Sequence, residues 1–178
     1  MNNYSAMDIA NYIVWYVNNV LRQRNLTPLK LQKLLYYVQA NYLIHNQGQP
    51  LFTDSIQKWQ YGPVVPNVYF EFKDNGISHI SEPKSTFSYQ MNPEGGFSFE
   101  FKEFDESRIN NDPVVEKTIT TVVDHLIDRD AFQLVNKTHM ENIWLKDQGR
   151  ILMGEKGIEY TNQELYNYFS VHSDFLRT

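Results

Sequence analysis

Glycine pairs, histidines and acidic clusters are where chemistry would show first, and each grouping in this chain stops short of a complete constellation. Gly149 and Gly154 keep the spacing of a phosphate-binding loop, G-x-x-x-x-G-K-[S/T], but Glu155 stands where that loop requires lysine. A β- or γ-phosphate would meet a carboxylate there, so the stretch reads as a link between helices. The five histidines, His45, His79, His125, His139 and His172, form no H-E-x-x-H pair. His139-Met140-Glu141 has the order of a zinc deaminase signature, yet its partner P-C-x-x-C needs cysteine and the chain has none. Asp124, His125, Asp128 and Asp130 are the acidic–imidazole cluster. On a helix Asp124 and Asp128 share a face while His125 points about 100° away, so three ligands do not converge. Asp130 is better used as the cap of the next helix. No catalytic residue, metal or cofactor is assigned on these grounds, and the chain reads as a protein other than an enzyme. A Ser/His/Asp triad converges only in three dimensions, so a small hydrolase with a site near Tyr61 and His139 stays open as an alternative.

Two other stretches could act without covalent chemistry. In Trp59-Gln60-Tyr61-Gly62-Pro63-Val64-Val65-Pro66 a turn sets two large aromatics beside β-branched residues. Such aromatics serve either a core, where each buries about 150–250 Å², or a partner-facing groove, where Trp and Tyr are the usual anchors. In Lys30-Leu31-Gln32-Lys33, with Tyr36, Tyr37 and Gln39 beyond, two cations sit near a helix start and oppose its dipole. They read as a solvated face or as part of a partner surface. The candidate partner-binding residues are therefore Lys30, Lys33, Trp59, Tyr61, Gly62, Pro63 and Val64.

The elements that must position them follow from periodicity. Ser5 and Asp8 form a capping box ahead of Ala6, Ile9, Ala10, Ile13, Tyr16, Val17, Val20 and Leu21, an amphipathic helix. Thr27 caps a second helix with Pro28 at its first position and a stripe of Leu31, Leu34, Leu35, Val38 and Tyr42. The two should pack as an antiparallel pair, with Pro50 to Gln60 running extended over them. Tyr61-Gly62-Pro63 reads as a turn, and Pro63 and Pro66 as the opening of a third helix through Val68, Tyr69 and Phe72. The period then changes to two: Phe97, Phe99 and Phe101 alternate with polar residues opposite Thr86–Met91, a hairpin closed by the five residues 92–96. An isolated hairpin is marginal in water, so its aromatic face should lie on the helices. Asp112 and Pro113 open a helix along Val115, Ile119, Val122, Val123 and Leu126, and Asp130 caps the next. A segment around Ile143-Trp144-Leu145 and a glycine-rich link follow. Thr161 and Glu164 form a further capping box before Leu165, Tyr168 and Phe169. The expected fold is mainly α (α+β): one compact helical domain over residues 1–178 with a small antiparallel β-hairpin inserted at about 84–104.

Length and composition agree with that reading. A chain of 178 residues corresponds to roughly one domain, and 15% aromatic residues supply the core. Sixteen Lys and Arg against 21 Asp and Glu leave a net charge of −5, which argues against nucleic acid as the partner. The run from Ile9 to Leu21 is interrupted by Asn11, Asn18 and Asn19 and falls short of the roughly 20 residues of a membrane span. With no targeting pattern at the N-terminus, the chain is expected to be soluble and cytoplasmic.

Leu29-Lys30-Leu31-Gln32-Lys33-Leu34-Leu35-Tyr36-Tyr37, Gly48-Gln49-Pro50-Leu51-Phe52 and Trp59-Gln60-Tyr61-Gly62-Pro63-Val64-Val65 together resemble the Panacea domain of SocA-like antitoxins and prophage-associated proteins. The likeness continues through Tyr69-Phe70-Glu71-Phe72 and Gly76 and returns at Thr138-His139 and Trp144, about Ser5 to Leu145 in all. One departure is Glu141-Asn142-Ile143, where that family often has a proline. The resemblance implies an antitoxin of prophage or mobile-element origin that neutralises a cognate toxin, encoded by an adjacent gene, through direct protein–protein contact, or an adaptor that delivers the toxin to a protease. It implies no catalytic residues. A DNA-binding autoregulator is the further alternative, and the acidic balance would suit a cationic toxin through on-rate steering.

Overall fold

The computed structural model of the chain describes residues 4–92 and 95–177. Ser5 accepts the Asp8 N–H while the Asp8 carboxylate accepts the Ser5 N–H at 2.8 Å, closing the expected capping box. Helix α1 (Ala6–Trp15) runs on into a π-helical turn, Tyr16–Val20. Thr27 caps α2 (Pro28–His45), with Pro28 in its first turn.

Helix α2 differs from the one-stripe helix expected of it. From Pro28 to Leu43 every residue except Leu29 is buried. The reason lies in what surrounds it. The first helix, four later ones and a strand all pack against it: α1, β2 (Gly62–Val64), α3 (Pro66–Phe72), α5 (Pro113–Leu126), α6 (Ala131–His139) and α9 (Asn162–Val171). A helix covered on all sides must satisfy its polar side chains from within the protein, and this one does. Lys30 donates to the Ile127 carbonyl at 2.9 Å and Lys33 to the Pro63 carbonyl at 3.0 Å. Gln32 accepts the Val65 N–H at 2.8 Å. Gln39 donates to the Phe52 carbonyl and accepts the Leu51 N–H.

The stretch expected merely to run extended forms sheet instead. Strand β1 (Ile56–Trp59) pairs antiparallel with β2 in the register Gln57↔Val64, Lys58↔Pro63 and Trp59↔Gly62. On its other side it pairs with β5 (Glu159–Tyr160), giving the order β2-β1-β5. The turn is therefore Gln60-Tyr61, earlier than expected. Pro63 lies in a strand, where an edge position tolerates its missing N–H, and α3 begins at Pro66 with Val65 as its cap.

Strands β3 (Thr86–Asn92) and β4 (Gly96–Lys102) form the expected hairpin, with Asn92 opposite Gly96. Pro93 and Glu94 of its loop lie outside the described residues. Phe101 is exposed, contrary to the expectation that the aromatic face of this strand packs on helices; the other side chains of that face lie outside what is described. A short helix α4 (Ser107–Asn110) precedes α5, capped by Asp112, and α6, whose capping box pairs Asp130 with Gln133. Helices α7 (Asn142–Leu145) and α8 (Gln148–Leu152) lead to β5 and α9. Among the described residues no helix is long and apolar enough to cross a membrane.

At the start of α9 the sequence expectation is only half met. Thr161 accepts the Glu164 N–H at 3.0 Å, but the Glu164 carboxylate turns to Lys58 and Lys146. Lys58 is the reason. Its side chain is buried, and its ammonium donates to the Ile143 carbonyl at 2.7 Å, Asp147 at 2.8 Å and Glu164 at 3.1 Å, tying β1 to α7, α8 and α9. K58M orphans the Ile143 carbonyl while leaving Asp147 with Arg150 and Glu164 with Lys146. It is expected to cost about 2 kcal/mol of stability in urea unfolding, the scale of a buried acceptor left unpaired.

Candidate functional site

The two strands β1 and β2 bring the aromatic stretch to a sharp corner, and glycine is required there. Gly62 has φ of 88°, and a Cβ at that position would stand 2.5 Å from Thr138 Oγ1 and 3.2 Å from Lys33 Nζ. Immediately behind it, α2 holds the backbone that follows the corner: Lys33 binds the Pro63 carbonyl and Gln32 the Val65 N–H. From α7, the Trp144 indole donates to the Trp59 carbonyl at 3.2 Å.

With the backbone fixed, the side chains face outward. The Trp59 ring meets Tyr69 edge to face at 5.0 Å, and Tyr69 meets Phe70 at 5.5 Å. The Trp59 indole donates to Gln57 at 2.9 Å. Tyr61 is 54% exposed and meets Phe132 of α6, itself 62% exposed, at 6.4 Å. Trp59, Tyr61 and Tyr69 border a cleft of about 470 Å³ lined also by Val64, by Leu29 of α2, and by Ile151, Leu152 and residues 154–157 on α8 and the loop after it.

Of the sequence-predicted residues, Trp59, Tyr61 and Val64 line the cleft, while Gly62 and Pro63 are buried in the strand that shapes it. Lys30 and Lys33 are corrected: neither forms a solvated face or a partner-facing surface, because α2 is the central helix and both ammoniums are consumed by backbone carbonyls. Lys33 supports the corner from inside.

Sequence reasoning missed the buried carboxylate beside it. Glu141 is 5% exposed and accepts the hydroxyls of Tyr36 at 2.5 Å and Tyr37 at 2.8 Å. Burial pushes its pKa up from 4.5 to about 7, against the pull of the two tyrosines and of Lys137 and Lys33. Burial lowers Lys33 to about 7, with Glu141 opposing. Burial and the charge of Glu141 hold both tyrosine hydroxyls well above their ordinary value. No short-range signal in the sequence marks this cluster, because Tyr36 and Tyr37 lie more than 100 residues from Glu141.

The remaining chemistry-bearing residues do not converge. His139 lies flat on Trp144, ring centres 3.9 Å apart, and its Nε2 is buried without a hydrogen-bond partner. No hydrogen bond joins it to a carboxylate or hydroxyl among the described residues. Burial lowers its pKa. Asp124 accepts from Tyr16, Asp128 accepts from Gln23, His125 meets the Thr121 carbonyl, and Asp130 caps α6. Glu155, in the position that breaks the phosphate-loop pattern, pairs with Arg150.

Two measurements check this construction. A carboxyl whose pKa is raised on folding adds stability that is full below about 4.5 and lost as pH rises through about 7, on the order of 3 kcal/mol here. Lys33, lowered to about 7, begins to lose its proton in the folded state only at the top of that window, and E141Q is compared with the wild type at the same two pH values so that this contribution is shared. The difference in urea stability between pH 4.5 and 7 should therefore shrink by that order in E141Q. G62A should cost about 3 kcal/mol through forced positive φ and the Thr138 contact, and adding T138A should recover the contact part only, read as a double-mutant cycle in urea unfolding.

Comparison with known proteins fits the geometry. The family model described as "Antitoxin SocA-like, Panacea domain" matches residues 31–145. "Antitoxin SocA" of Caulobacter vibrioides (strain NA1000 / CB15N) is 40% identical over 55 residues, 31% of this chain and 29% of that protein. The chain thus matches under a third of the length of that curated relative. No solved structure matches. The aromatic corner, its lysine support and Glu141 all lie inside the family match, which takes in well over half of the 178 residues, and the chain belongs to the SocA-like antitoxin family with a Panacea domain.

Proposed function

We propose that this chain is an antitoxin that neutralises a cognate toxin protein by direct contact, and that the aromatic corner is the contact surface. The observation that carries the reading is the exposed ring of Tyr61 beside Trp59, on a backbone pinned from behind by Lys33 and Gln32. Large aromatics held rigidly at a surface lose little side-chain entropy on binding and are the residues that dominate interface energetics. Phe70 and Phe132, both more than half exposed, extend the same apolar band to α3 and α6. The family membership supplies the class of partner. A toxin encoded by the adjacent gene of a prophage or other mobile element, met in the cytoplasm, is the partner this reading names, and delivery of that toxin to a protease is compatible with the same surface.

Co-expression with the neighbouring reading frame tests it. The wild-type chain should relieve growth arrest and co-purify with the product. W59A and Y61A should each weaken that complex about tenfold or more with unchanged far-UV circular dichroism. A neighbour that is harmless, or one neutralised equally by both variants, would overturn the proposal.

A further inference from the structure

The cleft beside the corner has two origins in the sequence. Trp59, Tyr61, Val64 and Tyr69 fall inside the family match, which ends at Leu145, whereas Ile151, Leu152, Gly154, Glu155, Lys156 and Gly157 lie beyond it. The second set is built like a recognition surface. Leu152 lines the cleft and is 60% exposed, which with Ile151 sets apolar side chains opposite the aromatic ones.

The charge of the cleft is also specific. Glu155 accepts from Arg150 Nε at 2.9 Å and Nη2 at 2.5 Å, and Arg150 Nη1 donates to Asp147 at 2.9 Å. Lys58 is neutralised by Asp147 and Glu164. Left without an ion pair among the described residues are Lys156 on the loop and Lys73 at the end of α3, the latter over the Phe70 ring at 5.2 Å. A chain of net charge −5 thus presents two ammoniums without an ion pair among the described residues at the rim of this apolar cleft.

We infer that the Ile151–Gly157 segment is the partner-selecting part of the cleft, and that the occupant is an apolar segment of the toxin flanked by acidic residues. The inference rests on the antitoxin reading above and deepens it: the corner anchors, and the loop chooses. The chain's overall negative field and this local positive rim act at different ranges. The first steers a partner in, and the second fixes which segment docks.

Panning the purified full-length chain against a phage-displayed random-peptide library tests this. Enriched sequences should combine aromatic or branched aliphatic residues with Asp or Glu, and the K73E/K156E double variant should shift the bias toward Lys and Arg. For a synthetic enriched peptide, anisotropy should show binding about tenfold weaker to L152S. K156E should bind it about threefold weaker, and more so at low salt. Basic, chargeless or absent enrichment overturns the inference. Peptide binding lost in W59A but untouched in L152S and K156E removes the selecting role and leaves the corner as anchor. Binding equal in all three variants removes the cleft as the docking surface, whereas a failure of the antitoxin reading itself shows in the co-expression assay.

Discussion

A lysine, a glutamate or a glutamine enclosed by protein on every side is tolerable only if each donor and acceptor meets its complement, and that requirement on α2 shapes the molecule around it. The helix is the axis of the fold, yet it carries Lys30, Gln32, Lys33 and Gln39. Their partners are mostly backbone groups outside the helices: Ile127 after α5, Pro63 and Val65 just after the corner, and Leu51 and Phe52 before β1. Each bond satisfies a buried side chain and at the same time fixes a loop. The segments with least regular structure are positioned by the most buried helix.

The consequence reaches the surface at Gly62. Because Lys33 and Thr138 both approach the corner so closely, only a residue without a Cβ fits, and the chain reverses tightly enough to leave Trp59 and Tyr61 on the outside. Loss of the Lys33 contact would therefore be felt at Tyr61, which touches no part of α2 through a hydrogen bond. Glu141 sits one turn further along the same face of the helix, joining α6 and α7 to the middle of α2 through Tyr36 and Tyr37. Two groups whose charged forms are penalised by burial, one acidic and one basic, thus sit within one electrostatic neighbourhood.

Local signals in the sequence translated directly into structure. Thr27 with Pro28, Asp112 with Pro113, and Asp130 each start a helix where their side chains can take an orphan N–H. The alternation of Phe97, Phe99 and Phe101 placed the hairpin. Non-local satisfaction was not legible. Lys30 and Lys33 have the composition of a solvated face, and nothing near them in sequence reveals that Pro63 and Ile127 arrive to accept their protons. The pairing of Ile56 with Tyr160 spans most of the chain and has no short-range signature. Glu164 shows the competition plainly: the T-x-x-E spacing at Thr161 is that of a capping box, but the buried ammonium of Lys58 outbids the Thr161 N–H for its carboxylate. The candidate site was half legible for the same reason. Its aromatic members announce themselves by type, while the groups that hold them in place are identified only by contact.

A rigid interior and an unpaired exterior at the same corner have a common physical origin. Every cation near the cleft that faces inward is matched: Lys58 by two carboxylates and a carbonyl, Lys33 by a carbonyl and the nearby Glu141. Inside the protein an unmatched charge would cost several kcal/mol, so selection for folding alone forces that matching. At Lys73, Lys156 and Leu152 on the rim of the cleft, water relaxes that constraint. Substitutions on the inner set are paid in stability, whereas those on the outer set change only what the cleft can hold. That division would let one scaffold keep its corner while its α8 loop changed, which is the property the proposed binding surface requires.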